Sequence, residues 1–303
     1  IDFRLIRLYI FFALMLCLLW SSYQMRQHPQ LKFNALSDRI THPFDTRLRY
    51  RIAEIDPRFK LSPEQVKSIS LQATQIWKDG TGQDYFVYDD NAKLSIHLIY
   101  DERQFESEQR RAHIRQLEAN QKLWLNKKQQ LDQIEQQMLH NKQFLQHKQQ
   151  QLDQQIQHYH QEMRQYNTAQ HADYFQQQQR ALQHNIQALQ QEINQYNQQI
   201  VQLNQQIDQL NSLDQQLDNS VQQFKQRFQP HLFHKGLFNG KQIMVYEFAS
   251  EADLRLTLAH ELGHALGLQH ANDPHALMYP MLQQQNVNNF RLSAADKALL
   301  SAR

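Results

Sequence analysis

The chain has 303 residues, with 32 lysines and arginines against 30 aspartates and glutamates, for a net charge of +2. That balance argues neither for nor against nucleic acid, but no basic patch with interleaved aromatics occurs, so no nucleic-acid partner is expected. Cys17 is the single cysteine, which excludes an intrachain disulfide and any cysteine-ligated zinc cluster.

In chain order, Leu8 to Trp20 is an uninterrupted apolar run of thirteen residues preceded by Arg4 and Arg7. Its length suits a signal-peptide core; counted from Leu5, with Arg7 snorkelling, it makes a marginal span of about 24 Å. No small-x-small cleavage site follows, since Leu19 and Ser21 would occupy the key positions, and Leu16 before Cys17 spoils a lipobox. Residues 1–23 therefore read as an uncleaved membrane anchor, with a removed signal and a secreted or periplasmic product as the alternative. Either way the rest of the chain is expected outside the cytoplasm.

Residues 24–45 are polar and irregular and read as a tether. The stretch TRLRYRIAEI (46–55) alternates like a strand, and DPRF closes it. Ser62-Pro63-Glu64-Gln65 has the pattern of a capped helix start. That helix is expected to run to about Lys78, burying Val66, Ile69, Ala73 and Ile76, and to stop at Gly80 and Gly82. YFVYDD and KLSIHLIY follow as two more strands.

From about Glu102 to Phe228 the composition turns to Gln, Asn and charge around a sparse apolar stripe, and no proline occurs between Pro63 and Pro230. The second half places Leu182, Ile186, Leu189, Ile193, Tyr196, Ile200, Leu203, Ile207, Leu210, Leu217, Val221 and Phe224 at alternating gaps of four and three, with Asp214 at one core position. A random polar tract would not hold that heptad rhythm. The first half carries a similar stripe from Trp124 to Tyr166 with a local stutter near Leu152, and NTAQHAD separates the halves. Two helices folded into an antiparallel coiled-coil hairpin fit this pattern, and a parallel intermolecular coiled coil is the rival.

KQIMVYEF (241–248) then reads as a strand, and Ser250 as the cap of a helix reaching Gly267. On that helix His260 and His264 stand one turn apart, so both imidazoles face one way and can share a metal. Glu261 is rotated off that direction, where it can reach a metal-bound water without being a ligand. Gly267 permits a left-handed exit from the helix, and the turned chain brings back His270 as a third nitrogen ligand. Three neutral imidazoles leave a fourth zinc position for water, as a catalytic site requires. The remaining histidines have blander readings: His97 as a packed strand residue, His158 and His160 on a solvated helix face, His231 and His234 as adventitious metal binders, His275 in a loop.

The motif His260-Glu261-x-x-His264-x-x-Gly267-x-x-His270 resembles the metzincin signature, and Ala276-Leu277-Met278-Tyr279-Pro280 resembles the Met-turn of matrixins, the matrix-metalloprotease group. The resemblance is strong over about Leu256 to Leu282 and weaker over the preceding strands, the first helix and RLSAADKALL (291–300). It implies zinc held by His260, His264 and His270, with Glu261 as general base that later returns its proton to the leaving amine. It also implies Met278 as an apolar floor and Pro280, Met281 and Leu282 as the wall of a substrate pocket. Ala271 stands where matrixins commonly have Ser, and Leu282 where Tyr is frequent. No cysteine-switch propeptide occurs, and the loop holding structural zinc and calcium in that family has no convincing match, which leaves Ca2+ open.

The expected fold is α+β: a small matrixin-like protease domain from residues 46–102 and 229–303, with a coiled-coil hairpin of residues 103–228 inserted, behind an N-terminal hydrophobic helix. The expected function is a zinc metalloendopeptidase, membrane-tethered or secreted, acting on protein or peptide substrates. The alternative is a coiled-coil scaffold or binding protein with a degenerate protease domain. The hairpin would serve as a rigid spacer or would recruit a protein partner or substrate.

Overall fold

The computed structural model describes residues 3–166, 170–229, 233–282 and 285–302, with side chains from residue 11 onward. His231 and part of the expected break between the two Gln-rich halves lie outside these residues. The fold mixes helices and strands. By contacts the chain divides into two compact units, Ile1–Arg111 with Pro230–Arg303, and Ala112–Gln229.

In the first unit, α1 spans Phe3–Gln27. Among the described residues no helix is long and apolar enough to cross a membrane. The polar stretch after α1 is folded, with a 3-10 turn at Pro29–Phe33 and α2 at Leu36–Thr41. Gln30 Nε2 donates to the Thr46 carbonyl, and Asn34 both donates to the Arg47 carbonyl and accepts from the Arg49 N–H.

The sheet holds β1 (Leu48–Ile55), β2 (Phe86–Tyr88), β3 (Leu94–Leu98), β4 (Gly236–Phe238) and β5 (Gln242–Val245) in the order β2-β1-β3-β5-β4. Every pairing is parallel except β4 with β5, so β4 is an antiparallel edge strand. The alternation in β1 and β3 buries Leu48, Tyr50, Leu94, Ile96 and Leu98. Helix α3 (Pro63–Thr81) starts on the expected Ser62–Gln65 capping box and buries Val66, Ile69, Ala73, Ile76 and Trp77. Gly82, at φ 73°, is its C-cap; Gly80 lies inside the helix, where an added Cβ would strike Leu292. Only Gly82 therefore acts as the stop. Helix α6 (Glu251–Ala265) begins at Ser250, whose Oγ accepts from the Asp253 N–H, and α7 (Ala294–Ala302) closes the unit.

Helix α4 (Glu102–Gln165) starts in the first unit, where its opening turns are pinned to the end of β5. Gln104 Oε1 accepts from the Phe248 N–H, and buried Glu247 accepts from Ser107 Oγ at 2.6 Å and pairs with Arg111 at 3.1 Å. Lys235, next to β4, pairs with Asp253 at 2.7 Å and with Glu247 at 3.4 Å. These are charge pairs shielded from bulk water, where the attraction is least screened.

The second unit holds the remainder of α4 and α5 (Ala172–Arg227). His113 packs edge-on to Phe228, Lys148 pairs with Glu192 at 2.6 Å, and Tyr159 packs on Phe175. Of the apolar positions in the heptad stripe, Leu131, Met138, Leu152 and Leu189 are buried, whereas Met163, Tyr166 and Ile186 are exposed. The rhythm thus specifies a face and not the burial of each residue on it.

Candidate metal centre

One turn of a helix sets the site's first two donors. His260 and His264 lie on α6 at i and i+4, so their rings share a face. The chain leaves α6 through Gly267 at φ 94°, a left-handed backbone that a Cβ would strain. Only Pro29 Cγ, at 3.7 Å, would touch a Cβ there, so the reason for glycine is conformation and not crowding. The turn returns His270 to the other two. His264 Nε2 stands 3.2 Å from His260 Nε2 and 3.2 Å from His270 Nε2. All three donor atoms lie within 4.8 Å of one another, forming the metal-competent group found among the described residues.

Backbone carbonyls aim these rings. His260 Nδ1 donates to the Leu277 carbonyl at 2.6 Å and His264 Nδ1 to the Leu268 carbonyl at 2.9 Å. A ring that carries its proton on Nδ1 presents a lone pair on Nε2, the tautomer a metal ligand needs. Burial holds the rings neutral: it pushes His260 down to about 3 and lowers His264 and His270 as well. Three neutral donors this close are the donor set of a borderline-soft divalent ion. At a Zn–N distance of about 2.1 Å, tetrahedral ligands sit roughly 3.4 Å apart. The two 3.2 Å separations from His264 fit that spacing.

Glu261, the next residue along α6, is not in the histidine group. It is 5% exposed, and burial pushes its carboxyl up to about 7, opposed by a hydrogen bond from the Phe238 N–H. Strand β4 closes over it: a Cβ on Gly236 would come within 2.8 Å of Glu261 Oε1. Met278 is fully buried, and a side chain on Gly263 would strike both it and Trp77, so the glycine of HELGH is required by close packing. Met278 O accepts from the Ala271 N–H, tying the turn to the segment carrying His270. Pro280 and Met281 are exposed, while Leu282 packs partly buried against the core.

Several residues at the site were not singled out from the sequence. Asp296 on α7 is fully buried and accepts from the Leu277 and Met278 N–H groups, both at 2.9 Å. Ser293 and Asp296 also cap one another, and that Ser-x-x-Asp spacing was the signal available in the sequence. Trp77 Nε1 donates to the Ala259 carbonyl, one residue before His260. Of the other histidines, His97 bonds Ser95 within the sheet and His275 is an exposed loop residue. His234 is exposed but lies close enough to His260 and His270 to weigh electrostatically on both.

Comparisons with known proteins bear on the family of the chain as a whole. The matrixin family model matches residues 42–302. Matrix metalloproteinase-16 of Rattus norvegicus is 54% identical over 44 residues, which is 14% of this chain and 7% of that protein. Macrophage metalloelastase of Oryctolagus cuniculus is 54% identical over 44 residues, 14% of this chain and 10% of that protein. Human matrix metalloproteinase-15 is 50% identical over the same length, again 14% of this chain and 7% of that protein. The chain therefore spans a tenth or less of these curated relatives. The family match is far longer than those segments, taking in all five strands and the histidine helix, and on it the chain belongs to the matrixin family.

Proposed function

We propose that this chain is a zinc-dependent endopeptidase, with His260, His264 and His270 holding the ion and Glu261 as general base. The observation that carries the reading is the convergence of three Nε2 atoms, two of them on rings whose Nδ1 is spent on a backbone carbonyl. A zinc ion held there supplies Lewis-acid polarisation of a peptide carbonyl and lowers the pKa of water. Glu261 contributes a carboxylate that burial has brought near neutrality, so it can accept a proton from the attacking water and later return it to the departing amine. The Phe238 N–H holds that carboxylate in place, and Met278 with Trp77 gives α6 a rigid bed. Pro280, Met281 and Leu282 form one wall of the substrate pocket in this reading, and Leu282 brings an aliphatic side chain to it.

Chelation tests the metal. Removing zinc is expected to lower the thermal midpoint by roughly 10 °C, since ligand at a thousand times its Kd stabilises by about 4 kcal/mol. One equivalent of zinc should restore both the midpoint and cleavage of a generic peptide. Full stability and no bound zinc after purification in zinc would favour the degenerate-domain alternative.

The second unit is, in this proposal, an antiparallel coiled-coil hairpin. Contacts pairing the start of α4 with the end of α5, and the end of α4 with the start of α5, support it. A chain lacking residues 115–225, joined by a short Gly-Ser linker, keeps the Arg111–Glu247 pair. It is expected to cleave short peptides at the parent rate. Slower cleavage of a protein substrate alone would assign the hairpin to recruitment, and parent rates on both would make it a spacer. The apolar run before Trp20 supports a location outside the cytoplasm, which fractionation of the producing cells would test.

A further inference from the structure

Arg255 stands five residues before His260 on α6, about 140° around the helix from it, so it belongs to a different face. There it lines a cavity of about 630 Å³ with Arg291, from the loop before α7, and Lys297, on α7. A space of that size suits a small molecule. The three cations come from three separate segments, and none has an ion-pair partner among the described residues. Asp79 is the carboxylate on the wall, and Gln75 Nε2 already donates to it at 2.5 Å. Arg255 is fixed by donating through Nη2 to the Val287 carbonyl at 2.6 Å, while its buried Nε has no partner among the described residues. Like charges gathered with little counter-charge raise the local potential and draw anions. Phe290 adds an aromatic surface beside them.

We propose that this cavity binds a small organic oxyanion, a phosphate or a carboxylate carrying an apolar body. Its oxygens would be met by the Arg255, Arg291 and Lys297 side chains, since guanidinium and ammonium donors recognise both groups. The site is independent of the histidine cluster, and so of the peptidase reading.

Calorimetric titration of the full chain with phenyl phosphate and with benzoate, at matched ionic strength, tests this. Saturable binding of one equivalent is expected for at least one probe, and which one binds names the oxyanion class. The Arg291→Gln/Lys297→Gln variant should weaken it at least tenfold. Both side chains are exposed, and an unchanged thermal midpoint would confirm that the variant folds. Zinc-free protein and Glu261→Gln should bind as the parent does. Binding of neither probe, equal binding by the double variant, or binding lost with the zinc would each overturn the proposal.

Discussion

Glu261→Gln is expected to cut peptide hydrolysis by about 10³-fold or more while leaving one zinc per chain, because the amide keeps the shape of the side chain but cannot take a proton. Parallel zinc analysis and peptide turnover on the same preparation check it; appreciable retained turnover would remove Glu261 from the mechanism. The same substitution has a second, non-catalytic signature in the zinc-free chain. Burial raises the Glu261 carboxyl from 4.5 to about 7, so the folded state binds that proton more tightly than the unfolded one. Its penalty is absent below about pH 4.5, grows as pH rises, and is complete above about 7. That penalty is on the order of 3 kcal/mol at most, because each tenfold change in proton affinity is worth about 1.4 kcal/mol. Zinc-free Glu261→Gln should therefore melt higher than the zinc-free parent at pH 8 and about equally at pH 4. His260 acts in the opposite sense, from 6.5 to about 3: its stabilisation is present above pH 6.5 and lost as pH falls toward 3. The parent's stability should thus be flatter between pH 4.5 and 6.5 than the variant's, which keeps only the histidine slope.

Asp296→Ala is expected to destabilise the zinc-loaded chain by about 4 kcal/mol. The carboxylate accepts from Leu277 N–H, Met278 N–H, Ser293 N–H and Ser293 Oγ, and it is fully buried. Truncation strands buried donors, each costing about 1–3 kcal/mol, with partial relief from relaxation. The loss should spread to the metal, because the Leu277 carbonyl that aims His260 lies on the same turn. Weakened zinc affinity together with a fallen denaturation midpoint is the expected pair of results. A normal zinc affinity in the destabilised variant would confine Asp296 to holding α7.

The sequence determined which local structures form. The Ser62–Gln65 box, the Ser250 cap, the one-turn spacing of His260 and His264, and the left-handed demand at Gly267 are all short-range constraints, and each stands where the residues placed it. The alternation over 46–55 and 93–100 likewise yields strands, since side chains of period two bury one face. The short edge strand β4 has three residues with no alternation to reveal them, and only the tertiary fold lays Gly236 and Phe238 against Glu261. The buried carboxyl near 7, the carbonyls of Leu277 and Leu268 behind the histidines, the Asp296 clamp and the cationic cavity share one cause. Each depends on groups whose burial and mutual distance exist only once the helices and sheet have packed, and desolvation and hydrogen bonding act on those distances alone.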